Sequence, residues 1–196
     1  MVSLVQRWSA DWPDQPELGR RLMALWQEPW RHYHGSQHLA EALEAGDLLG
    51  CTRLERLSLW FHDAVHRNRP GEDEPASAEL AASWLVSAGW APAETAEVTR
   101  LILLTGHHRP LAADEAGARV CDADLAVLGA PPARYQESVA QLRAEQGLDE
   151  AGWRAARRAA VGHLLATHRY ATATGRALWG ARSRANLRAE LDRLTA

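Results

Sequence analysis

Lysine is absent from this chain of 196 residues, so every basic side chain except histidine is arginine. No lysine nucleophile or lysine Schiff base is available. Two cysteines, Cys51 and Cys121, are too few and too far apart for a cysteine-built zinc site or a disulfide framework. They read as reduced, helix-flanking residues of a cytoplasmic protein. No stretch approaches the ~18 consecutive apolar residues of a membrane helix. Gln6, Arg7, Asp11 and Asp14 interrupt any charged-then-apolar leader at the start. The formal charge of −3 supplies no basic excess for a nucleic acid polymer or an anionic membrane. Isoleucine occurs once, as Ile102, beside abundant alanine. That is a compositional bias without functional weight.

What is present is helix. Strand alternation is almost missing, whereas apolar residues recur at three- and four-residue steps along most of the chain. The pattern predicts helices over Pro16–Gln27, from a cap at Ser36 to Leu49 with Gly50 beyond, and from a cap at Thr52 through Leu54, Leu57, Phe61 and Val65. Arg69-Pro70-Gly71 breaks the chain. Further helices are expected over Glu74–Ala88, from Ala93 to about Gly106, and after Pro110 through Asp122 to Leu128. Three more cover about 133–146, 149–167 and 176–194. The expectation is one compact all-α domain spanning residues 1–196, with eight to ten helices. Nine tryptophans are scattered through it as core or dimer-contact residues. Nothing fixes the oligomeric state, and a homodimer stays open.

Nine histidines punctuate these helices. The most informative lies in Leu59-Trp60-Phe61-His62-Asp63-Ala64-Val65, where a histidine and a carboxylate sit side by side among large apolar residues. Burying either alone costs several kcal/mol, roughly, unless a partner is present. His34 and His38 share the spacing of one helical face, and His38 lies on the preceding helix, which short-loop packing brings close. A carboxylate from further away completes the set. Asp124 has Val120, Cys121, Val127 and Leu128 as its helical neighbours, an apolar stripe that calls for a cation. Asp122 is the alternative if the helix phase shifts by a turn; otherwise it is a supporting or surface residue. His38, His62, Asp63 and Asp124 together give two imidazoles and two carboxylates. Such a set suits one divalent transition ion, Mn, Fe, Co, Ni or Zn, with Mg also admissible. His163 and His168 read as structural.

The ordered set resembles the HD-domain superfamily of metal-dependent phosphohydrolases, and one subgroup of small bacterial HD proteins in particular. The resemblance runs through Arg31-His32-Tyr33-His34-Gly35-Ser36-Gln37-His38, Trp60-Phe61-His62-Asp63-Ala64-Val65 and Glu74-Pro75-Ala76-Ser77-Ala78. It continues in Thr105-Gly106-His107, in Asp122-Ala123-Asp124-Leu125-Ala126-Val127-Leu128-Gly129 and in Ala185-Asn186-Leu187. His66 and Asp73 depart from it, standing where the subgroup shows Tyr and Asn. The resemblance implies a mononuclear metal on His38, His62, Asp63 and Asp124, with Arg31, His34, Glu74 and His107 lining the pocket. His107 rather than His108 is the expected pocket-facing member of its pair. Arg31 and Arg109 are expected as phosphate clamps, because a guanidinium binds phosphate oxygens bidentately. The implied activity is hydrolysis of a small phosphorylated metabolite through a metal-activated water, with Asp63 or Glu74 handling the proton. Two other functions fit the same residues. A di-iron oxygenase would recruit His34, His66 and His107, and a non-catalytic domain would use the metal as a staple around a ligand pocket.

Overall fold

The computed structural model describes residues 2–69 and 71–195. Among them there are ten α-helices and no strand: α1 (Leu4–Asp11), α2 (Pro16–Trp26), α3 (Ser36–Leu49), α4 (Arg53–Phe61), α5 (Asp73–Ser87), α6 (Pro92–Thr105), α7 (Glu115–Asp124), α8 (Pro132–Gln146), α9 (Glu150–Thr167) and α10 (Ala173–Thr195). A 3-10 turn, Leu125–Gly129, follows α7 directly. The all-α expectation is met, and no helix is long and apolar enough to cross a membrane. Pro70, the centre of the expected break, lies outside the described residues, but Gly71 beside it adopts φ 81°.

Local chemistry sets most boundaries. Thr52 Oγ1 accepts from Glu55 N, and Glu55 Oε2 accepts in return from Thr52 N at 3.2 Å, a closed capping box at the start of α4. Glu55 then takes a bidentate pair from Arg119 at 2.7 and 2.8 Å, fastening α4 to α7. Gly50 ends α3 in the left-handed region, which a side chain would resist.

Three expectations need correction. The first helix, α1, was not foreseen; Ser3 and Gln6 form its capping box, and Trp8 is its one buried residue. The helix bearing Phe61 stops there, so His62 and Asp63 occupy a turn at its C-terminal end. The helix through Asp122 stops at Asp124 and tightens into the 3-10 turn.

Two apolar cores result. The larger gathers Trp8, Trp12, Trp26, Trp60, Leu39, Leu57, Phe61, Leu101 and Val120 from α1 to α7. The smaller holds Leu128, Tyr135, Val161 and Leu187. Trp153 is also buried, while Trp30 is not. Within the larger core, α3 and α4 pack on α7 and on one another, converging the ends that carry the polar cluster.

Candidate metal centre

His38 sits in the first turn of α3, His62 caps α4, Asp63 follows it, and Asp124 is the last residue of α7. His38 Nε2 lies 3.1 Å from His62 Nε2 and 3.1 Å from Asp124 Oδ1. His62 Nε2 lies 3.3 Å from the same oxygen and 3.1 Å from Asp63 Oδ2, which is 3.7 Å from His38. Both imidazoles are almost wholly buried.

This arrangement needs positive charge, from a metal ion or from a protonated imidazole. His62 Nδ1 donates to the Leu59 carbonyl at 2.8 Å, which places the lone pair of a neutral ring on Nε2. That lone pair faces a second imidazole nitrogen and two carboxylate oxygens. Burial alone would lower the His62 pKa, but Asp63 and Asp124 outweigh it and hold the value well above the ordinary range. Burial likewise works to raise Asp63 and Asp124; the facing histidines prevail and hold both carboxyls below their usual range. The centre demands positive charge. Donor atoms bound at about 2.0–2.2 Å to one divalent ion sit roughly 2.8 to 3.6 Å apart, from octahedral to tetrahedral geometry, matching most of the observed separations. His38, His62 and Asp124 can therefore hold a metal ion, with Asp63 approaching the same two nitrogens.

His108 supports the cluster from behind. Its backbone is in the left-handed region at φ 52°, and its Nε2 donates to Asp124 Oδ2 at 2.7 Å, leaving Oδ1 toward the histidines. Sequence reading favoured His107, yet His107 is exposed and points into a separate 340 Å³ pocket with Arg109, His163 and His168. That placement removes Arg109 from the carboxylates of the cleft described below. Asp122 is buried, not a surface residue. It accepts from Ala171 N, Thr172 N and Thr172 Oγ1 at 2.7–2.8 Å, anchoring the chain before α10. Only Asp124 of the two reaches the histidines.

Arg31 requires the largest revision. Its guanidinium donates to Glu28, to the carbonyls of His34 and Asp63, and to the Ala64 carbonyl at 2.9 Å. With its side chain 1% exposed, it holds the His62-Asp63 turn in place and has no face left for phosphate.

A 450 Å³ cleft opens on the cluster, lined by His34, Asp63, His66, Arg69, Asp73 and Glu74 among others. Glu74 Oε2 is buried there without a hydrogen-bond partner. At the cleft wall lies a second group that sequence reasoning missed. Glu145, in the last turn of α8, takes His34 Nδ1 at 2.5 Å and His66 Nε2 at 3.1 Å on one oxygen. Its other oxygen accepts from the backbone of Tyr33 and His34. Burial raises the Glu145 pKa, but the histidine hydrogen bonds outweigh it and the net shift is downward. His66 moves upward, its burial outweighed by the bond to Glu145 and by Asp63. The one signal in the sequence was His66 itself, a histidine where the resembling pattern shows Tyr.

No protein-family model matches this chain, and neither a curated protein nor a solved structure gives a match.

Proposed function

We propose that the chain is an HD-type metal-dependent phosphohydrolase acting on a small phosphorylated metabolite, a class that includes nucleotides. The observation that carries this reading is the convergence of His38, His62, Asp63 and Asp124 beside a cleft that holds an unpartnered carboxylate oxygen. The ordered resemblance to HD-domain proteins supports it.

His38, His62, Asp63 and Asp124 would hold a divalent ion of the Mn, Fe, Co, Ni or Zn class. When bound, such an ion polarises a phosphoryl oxygen and lowers the pKa of a bound water toward about 7. The chain's own residues do the remainder. The Leu59 carbonyl fixes the His62 tautomer, and His108 fixes the rotamer of Asp124; such outer partners hold donor atoms in position before any ligand arrives. Arg31 pins the Asp63 backbone. Glu74 offers Oε2 at the cleft wall as the group able to take a proton from an attacking water. Arg69, also at that wall and paired there with exposed Glu72, would supply the guanidinium that meets phosphate charge.

Elemental analysis of the purified protein, followed by a phosphoester panel assayed with the metal found, tests the reading. Metal and turnover present in the unaltered chain and absent from His62→Ala are expected. Full turnover by a metal-free His62→Ala protein would sink it.

A further inference from the structure

We infer that His34, His66 and Glu145 form a second divalent-metal site, beside the first and across the same cleft. The inference does not depend on the hydrolytic reading. The donor atoms of these three residues all lie within 4.8 Å of one another. Two imidazoles and one carboxylate are a ligand set used for zinc with positions left open. The site is adjacent to the first centre: the His34 ring lies 3.9 Å from His66 and 5.8 Å from His38, centroid to centroid.

Charge carries the argument further. Asp63, Asp73, Glu74, Asp124 and Glu145 bring five carboxylates into this region, and Asp73, Asp124 and Glu145 are buried. Arg31, the single buried arginine among the described residues, is already paired with Glu28. A divalent ion at the first centre offsets Asp63 and Asp124. Glu145 then remains with Asp73, whose Oδ2 lies 3.7 Å from His66 Nδ1. Backbone N–H groups solvate both, Tyr33 and His34 for Glu145, Arg67 and Arg69 for Asp73, but cancel no charge. A second divalent ion, displacing the protons that His34 and His66 share with Glu145, offsets that pair. Trp30 stacks on His66 with ring planes 10° apart, and Glu145 has a side chain with no exposure, so two of the three ligands are held rigidly.

The test counts metal. Chelator-treated protein is equilibrated with Zn²⁺, freed of excess, and analysed for zinc per chain. Two zinc ions are expected in the unaltered chain and one in each of His66→Asn, Glu145→Gln and Asp124→Asn. Circular dichroism confirms retained helix. Glu145→Gln keeps size and acceptor oxygens, and it decides the question if His66→Asn does not fold. One zinc in the unaltered chain that persists in Glu145→Gln overturns the second site while leaving the first centre standing. Two zincs retained in Glu145→Gln overturn it as well. No zinc in the unaltered chain overturns both sites.

Discussion

The two histidine–carboxylate clusters differ in what holds them together in the absence of a metal ion. At the first, two imidazole nitrogens and two carboxylate oxygens converge, and without a metal ion a protonated imidazole must supply the positive charge, which the raised His62 pKa reflects. At the second, Glu145 has a donor for each oxygen and the network closes by hydrogen bonding alone. A buried polar group with a partner is cheap, and one facing its own kind is not. The first cluster is therefore a site poised for an ion. The second is a site whose protons an ion must displace, which predicts weaker metal binding there.

Asp63 is where this contrast breaks most severely, because it serves the first cluster while lining the cleft shared with the second. Asp63→Ala should lose roughly a thousandfold or more of phosphoester turnover, about 4 kcal/mol of barrier, measured as kcat/KM under saturating metal. Retained turnover would show that the cleft works without the first centre. The next largest effect falls on His108, whose single bond orients Asp124. His108→Ala should weaken metal binding or activity by about 10- to 100-fold, the usual loss for an outer-sphere partner, whereas His107→Ala should leave both unchanged. Equal effects in isothermal titrations of the two variants would overturn the assignment.

Asp122 and Asp124 sharpen the contrast from the other side. Asp122→Ala removes three acceptor contacts that hold the start of α10. It should cost about 1–3 kcal/mol of stability, a melting-temperature drop of roughly 2–4 °C per kcal/mol at this size, with metal content unchanged. Loss of metal in that variant would mean the two aspartates had been assigned in the wrong order.

What the chain's letters disclosed follows the same division. Asp124 was legible because Val120 and Cys121 precede it on its helix and Leu128 follows one turn on, and His62-Asp63 because Trp60 and Phe61 precede it. Glu145 was not, since Gln141, Leu142, Leu148 and Asp149 flank it at a polar helix end. Its partners lie 79 to 112 residues away. Arg31 was misread for a related reason: carbonyl partners leave no mark in sequence, so a guanidinium holding a turn looks like one awaiting phosphate. His108 depends on a left-handed backbone that no pattern announced. The helices themselves were mostly legible from apolar spacing and caps. The short α1 escaped because only Trp8 along it is buried.

The smallest effect concerns the wall behind the first cluster. His168 Nε2 is buried without a partner, and burial pushes its pKa down to about 4, with the charges of His108 and Arg169 acting in the same direction. The folded ring thus stays neutral where an unfolded one, with its ordinary value of about 6.5, takes up a proton. Stability from this group is full above about pH 6.5 and declines as pH falls toward about 4. The ring is partly exposed, and with solvent screening the decline is at most about 1 kcal/mol. Urea midpoints of chelator-treated protein between pH 7 and 4.5 should fall less steeply in His168→Gln than in the unaltered chain. His108→Ala should flatten the curve too, because removing that neighbour lets the His168 value rise. An unchanged slope in His168→Gln would mean that the ring is solvated in the folded chain and that burial does not hold its pKa down.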